Sequence, residues 1–126
     1  MLIVDDDADI REILAEILVE VGFEVLTAAN GREALALVRD TGLRPSLIVL
    51  DLMMPIMDGH AFRAAQRDMD DAADIPVIVL SAAHNVQTRA SNMGAAAIFP
   101  KPFDLGTLLD AVARTVREPP PAQAAS

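Results

Sequence analysis

Four short apolar runs in this chain each lead into a residue that can do chemistry. Leu2-Ile3-Val4 stops at Asp5-Asp6-Asp7, Leu47-Ile48-Val49-Leu50 stops at Asp51, and Val77-Ile78-Val79-Leu80 stops at Ser81. Ala96 to Phe99 reads as a weaker run, and Lys101 follows it between Pro100 and Pro102. As parallel strands, these runs would bring their last residues to one edge. Carboxylates a few ångströms apart repel by several kcal/mol even at an effective dielectric of about 20. The edge therefore needs a hard divalent cation or an ammonium to offset them. Carboxylates with carbonyls and water are the ligands Mg2+ prefers, with Mn2+ as a close substitute, and Mg2+ leaves positions open for phosphate oxygens. Lys101 could hold one phosphate oxygen and Ser81 another, while Asp51 could act as a carboxylate nucleophile. Phosphoryl transfer asks mainly for alignment and charge neutralisation, which such an edge would supply.

Each residue alone has a plainer use. Asp51 could be a turn residue, Ser81 a helix cap and Lys101 a surface amine, and Asp7 reads better as an N-cap than as a ligand. It is their combination that points to a site. His60 and His84 fall outside the cluster by chain position.

The elements that must position these residues alternate along the chain. After the first strand, apolar residues at Ile10, Ile13, Leu14, Ile17, Leu18 and Val21 have the spacing of one buried helix face, and Gly22 ends it. Phe23 to Ala28 carries Glu24 and Thr27 and suits an edge strand. Asn30 with Glu33 forms a capping-box-like start to a second helix, with Ala34, Leu35, Leu37 and Val38 inward and Gly42 as its stop. Leu47 to Leu50 reads as a strand buried on both faces. Pro55 and Asp58-Gly59 mark a loop and a third helix, from about Gly59 to Arg67. Asp68, Asp70, Asp71 and Asp74 make a solvated acidic connection. A polar fourth helix is predicted from about Asn85 to Met93, closed by Gly94. Asp104 caps a fifth, with Leu105, Leu108, Leu109, Val112 and Val116 inward. Five strands alternating with five helices call for a doubly wound parallel sheet covered on both faces. Periodicity does not yield the strand order. Residues 1–117 form one domain, and Glu118 to Ser126, with three prolines, reads as a disordered tail or a severed linker.

Composition narrows the function classes. A hydrophobic content of 52% with 23% charged residues is that of a soluble globular protein. No apolar run approaches the roughly 18 residues of a membrane span, and no secretory signal is visible. The absence of cysteine excludes a disulfide framework, a thiolate metal site and a Cys nucleophile, and is compatible with a cytoplasmic location. A net charge of −9 disfavours direct contact with nucleic acid or an anionic membrane, since both need a cationic footprint.

The residues Val4-Asp5-Asp6, Asp51 with Met54-Pro55 and Asp58-Gly59, Ser81-Ala82 and Lys101-Pro102-Phe103 together resemble the response-regulator receiver domain of two-component signalling, over about Leu2 to Val116. The resemblance implies a flavodoxin-like sheet of order 2-1-3-4-5. It implies that Asp51 accepts a phosphoryl group from a sensor histidine kinase or phosphotransfer protein. Asp6, Asp51 and the Met53 backbone carbonyl would ligate Mg2+ directly, and Asp5 would act through water. Ser81 and Lys101 would hold phosphoryl oxygens, and the Lys101-Pro102 bond would be cis. Phosphorylation would switch the surface of the fourth helix, fifth strand and fifth helix, which could also serve a homodimer.

Two features depart from that family. The switch position three residues before the lysine, commonly Tyr or Phe, is Ile98. Phe99 next to it should face the other side of the strand. Met53 and Ala83 occupy positions that influence hydrolysis of the aspartyl phosphate, and neither side chain can hydrogen-bond an attacking water, so slow self-dephosphorylation is expected. Turnover of external substrates is not expected. A phosphohydrolase working through an aspartyl intermediate usually has a second acid at the place of Met53. A receiver-like scaffold that is never phosphorylated would not need the intact set of acids, hydroxyl and lysine. A nucleotide- or flavin-binding relative would want a glycine-rich turn where Asp5-Asp6-Asp7 stands.

Overall fold

The architecture is known from a computed structural model, which describes residues 1–40, 45–52, 54, 56–69, 73–81, 95–101 and 103–117. The strands β1 (Leu2–Val4), β2 (Leu26–Ala28), β3 (Ile48–Asp51), β4 (Val77–Ser81) and β5 (Ala97–Pro100) pair in the order β2-β1-β3-β4-β5, all parallel. The expected order is thus the observed one. Among the described residues the helices are α1 (Ala8–Val21), α2 (Gly31–Asp40), α3 (Gly59–Arg67) and α4 (Leu105–Arg117), the last being the fifth helix predicted from sequence. The predicted helix at 85–93, the stop at Gly42 and the tail from Glu118 lie outside the described residues. None of the described helices is long and apolar enough to cross a membrane.

Alternation along the strands builds two cores. Leu2, Val4, Ile48, Leu50, Val77 and Val79 pack with Leu35, Val38 and Phe62 of α2 and α3. Ile3, Val49, Ile78 and Leu80 pack with Leu14 and Leu18 of α1 and Leu108 and Val112 of α4. Both faces of β1, β3 and β4 are covered, which is why these strands read as unbroken aliphatic runs. Each fully buried Leu, Ile or Val contributes about 1.5–3 kcal/mol. Edge strand β2 differs: Leu26 and Thr27 are exposed and only Ala28 is buried. It is shorter than the predicted Phe23–Ala28 run, with Phe23 and Val25 packing on the α1–α4 core from outside the sheet.

The caps follow the sequence closely. The Asp7 side chain accepts from the amides of Asp9 and Ile10, and Gly22 closes α1 in the left-handed region at φ 111°. Asn30 Oδ1 accepts from the Glu33 amide at 2.9 Å, and Glu33 Oε1 reaches back to the Ala29 amide at 3.4 Å. Asp58 caps α3 through the Ala61 amide, and Asp104 caps α4 through the amide and hydroxyl of Thr107. These two Thr107 bonds hold the Asp104 carboxyl below its ordinary value.

One expectation about α1 needs correction. Ile13 and Val21, read as inward, are 51% and 65% exposed, and the buried stripe is Leu14 with Leu18. Ile13 lies about 100° round the helix from Leu14. Val21 lies in the last turn, where α1, about 21 Å long, has outrun the roughly 10 Å of β1. On α3, Arg63 and Gln66 are buried beside Phe62, with Arg63 Nη1 donating to Gln66 Oε1 at 2.8 Å and Gln66 Nε2 to the Ile75 carbonyl at 3.1 Å. Burial, with the nearby Arg67 charge, lowers the Arg63 pKa.

Candidate functional site

Register alone places two of the acids together. β1 and β3 are neighbours, with Val4 opposite Leu50, so Asp5 and Asp51 come one step later at the same height of the same edge. This is also where the strand order reverses, the position at which open α/β sheets bind ligands. Asp51 is 2% exposed and Asp5 is fully buried, while Asp6 is exposed at the turn. One carboxylate oxygen from each of Asp5, Asp6 and Asp51 can be chosen so that all three lie within 4.8 Å of one another.

Asp5 is held at every polar atom. Its amide donates to the Ala28 carbonyl at 3.1 Å, and its Oδ1 accepts from the Asp7 amide at 2.9 Å. Its carbonyl accepts from Arg11 Nη1 at 2.7 Å. Its Oδ2 is buried with no aligned hydrogen bond among the described residues and meets the Lys101 ammonium at 2.9 Å. Lys101 Nζ also lies 3.4 Å from Asp51 Oδ2. The lysine reaches this point because β5 ends beside β4, where the Lys101 amide donates to the Ser81 carbonyl at 2.8 Å. Burial pulls the Lys101 pKa down, but the contact with Asp5 and the charges of Asp51 and Asp5 outweigh it, so the value is raised. The ammonium is thus present at neutral pH, one of the two alternative counter-charges, a divalent cation or an ammonium, that the sequence reading named.

The loop after Asp51 is pressed against the strand tip. Gly59 donates its amide to the Leu52 carbonyl at 3.0 Å, and a Cβ there would lie 2.6 Å from the Asp51 carbonyl oxygen and 2.8 Å from Leu52 Cα. The Gly31 amide, at the start of α2, holds the Met57 carbonyl at 3.0 Å. Between these anchors Ile56 adopts φ 70°, the left-handed region that a β-branched residue enters only at a cost, with its side chain 75% exposed.

Of the residues singled out in the sequence, Asp5, Asp6, Asp51 and Lys101 are brought together. Ser81 is buried at the tip of β4, one step beyond Leu80, which pairs with Asp51. Met53 and Ala83, with the expected cis bond at Pro102, lie outside the described residues, as does His84. His60 is half-buried in the first turn of α3. Ile98 packs on the α2–α3 core and Phe99 on the α1–α4 core, so the two do face opposite sides. Sequence reading passed over Arg11. Its one signal is a cation in the first turns of α1, where the helix dipole favours anions.

The donor set fits a hard divalent cation: three carboxylates can place one oxygen each within 4.8 Å of one another, with no sulfur or imidazole among them. The fold and this acidic edge define a doubly wound α/β module whose chemistry would sit at the β1/β3 switch point. A profile of the response regulator receiver domain matches residues 1–113, and the chain belongs to that family. It is 43% identical over 119 residues to the transcriptional regulatory protein PrrA of Mycobacterium leprae, covering 93% of this chain and 49% of that protein. The chain thus spans about half the length of the curated relatives it matches. Among solved structures it resembles the receiver domain of Francisella response regulator 1452, with TM-score 0.81 and 29% identity over 92% of this chain and 94% of that one. It also resembles Thermotoga maritima TrrA, solved as a complex with Mg(2+)-BeF, with TM-score 0.77 and 32% identity over 90% of this chain and 96% of that one.

Proposed function

We propose that this receiver domain is a phosphoacceptor switch in which Asp51 takes a phosphoryl group from a histidine on a sensor kinase or phosphotransfer protein. The observation that carries this reading is the Asp51 carboxylate at the strand tip, with Lys101 Nζ at 3.4 Å and the Asp5 and Asp6 oxygens within 4.8 Å. An Asp51 oxygen would form the new bond to phosphorus as the phosphorus–nitrogen bond breaks, and the imidazole nitrogen would keep the electron pair. Asp6, Asp51 and the Met53 carbonyl would hold Mg2+ or Mn2+, with Asp5 acting through water. The ion would supply charge neutralisation on the phosphoryl oxygens. Lys101, fixed against Asp5, would neutralise a second oxygen without rearranging, and the Ser81 hydroxyl would take a third.

The added charge would favour one of two arrangements around Ser81, Ile98 and the segment through α4, exposing a different surface to a partner or a second copy. With Ile98 in place of an aromatic residue, less bulk would turn inward. The matched relatives are transcriptional regulators about twice as long, so DNA contact would fall to an attached half rather than to this acidic module, with its net charge of −9. The domain would turn over no external substrate, and Met53 and Ala83 would leave the acyl phosphate slow to hydrolyse. A cytoplasmic location would suit exchange with a kinase.

Intact mass after incubation with acetyl phosphate and MgCl2 tests the chemistry. Wild type should gain one phosphoryl mass and Asp51→Asn none. Equal labelling of both proteins would place the chemistry elsewhere, and labelling of neither would count against it.

A further inference from the structure

Among the described residues, Arg11 is the one cation beside the acidic edge with no part in the mechanism above. It is half-buried, and its Nη1 reaches back six residues to donate to the Asp5 carbonyl at 2.7 Å. That carbonyl belongs to the peptide joining Asp5 to Asp6, so gripping it fixes the plane of the peptide. The rest of Asp5 is already immobile, bound through its amide, Oδ1 and Oδ2. The carbonyl contact therefore acts chiefly on the next residue, through the backbone direction in which exposed Asp6 leaves the strand.

We infer that Arg11 is a positioning residue: through the Asp5 carbonyl it sets the direction in which Asp6 presents its carboxylate to the Asp51 pocket, and divalent-cation binding depends on it. This rests on the divalent-cation reading of the site. Two effects of Arg11 oppose each other, which makes the inference testable by sign. As a positive charge near the pocket, Arg11 repels a cation, so removing it would tighten binding if charge were its only influence. As a clamp on the Asp5–Asp6 peptide, it pre-arranges a ligand, and losing a residue that orients a metal ligand typically weakens affinity by about tenfold or more.

The experiment is a MgCl2 titration of the uniformly 15N-labelled chain followed by backbone amide shifts, comparing wild type, Arg11→Met, Arg11→Lys and Arg11→Gln. Arg39→Met, which removes an exposed cation from the last turn of α2, controls for net charge. Thermal melts set a titration temperature at which every variant is folded. Before Mg2+ is added, Arg11→Met should already shift the amides of Asp6 and Asp7, and Arg39→Met should not. Mg2+ should then bind Arg11→Met and Arg11→Gln roughly tenfold more weakly than wild type, and Arg39→Met slightly more tightly. Arg11→Lys, keeping one donor and the charge but not the planar fork, should recover part of the loss. Binding to Arg11→Met as tight as or tighter than wild type would overturn the inference and leave the metal site standing. Failure of Mg2+ to move any wild-type amide would overturn the metal reading itself, and this inference with it.

Discussion

The two edges of the sheet are built from the same strands and have nothing else in common. At the edge where the strands end, Asp5, Asp51 and Lys101 pack into one charged cluster with Asp6 above it. At the edge where they begin, Met1, Phe23, Val25, Leu26 and Pro45 line an open cleft of about 520 Å3, with Glu24 its one charged side chain. In a parallel sheet every strand contributes its last residue to one edge and its first to the other, so polar endings accumulate on one side only. A concave apolar surface is a common default for a binding site. Here the charged cluster sits instead at the opposite edge, where Asp5 and Asp51 are buried and Asp6 is exposed.

That contrast can be broken. The largest effect is expected from Gly59→Ala, because the added methyl would sit 2.6 Å from the Asp51 carbonyl oxygen and 2.8 Å from Leu52 Cα, both backbone atoms that cannot swing aside. Urea unfolding should show a loss of about 2–3 kcal/mol, in the range of overpacked sites, and labelling by acetyl phosphate should slow. An unchanged midpoint would mean that α3 does not press on the strand tip.

Lys101→Met comes next. It leaves buried Asp5 without its counter-charge and should cost about 1–2 kcal/mol, discounted from fully buried pairs because the ammonium is partly exposed. The pH dependence has a definite sign. The Lys101 pKa is raised in the folded protein, so its contribution is complete below the ordinary lysine value of 10.5 and is lost as pH climbs through the raised one. The stability gap between wild type and Lys101→Met should therefore be constant from pH 7 to 9 and close at still higher pH. A gap that closes on acidification alone would place the effect elsewhere. Leu26→Ala, at the opposite edge, should leave acetyl phosphate labelling within about twofold of wild type.

The smallest effect should be a gain. Ile56→Gly relieves a β-branched residue at φ 70° and should stabilise by about 1 kcal/mol, the strain recovered less the entropy that glycine adds to the unfolded chain. A loss in urea unfolding would show that the Ile56 side chain makes up for its backbone.

Much of this molecule was legible in one dimension. The three inner strands β1, β3 and β4 announced themselves because residues buried on two faces must be aliphatic at nearly every position. Asp7, Asn30, Asp58 and Asp104 announced helix starts because unpaired amides there need an oxygen acceptor. The acids and the lysine stood out because they interrupted apolar runs. The family's motifs then supplied an order for the strands that periodicity could not, since each strand looks the same to its own sequence whichever neighbour it pairs with.

Other features depended on the third dimension. Ile13 and Val21 share the spacing of Leu14 and Leu18, yet what they face is decided by where the sheet lies and how far it extends. Gly59 shows in the sequence as a turn residue, but its close approach to Asp51 is set by the packing of α3 on β3. Arg11 looks like one more surface charge until the bend after β1 brings the Asp5 carbonyl beneath it. Residue types along the chain set which side chains could carry charge at the ends of strands. Tertiary structure decided which charges meet, because a 2.9 Å contact between Lys101 and Asp5, 96 residues apart in the chain, exists only once β1, β3, β4 and β5 lie side by side in register.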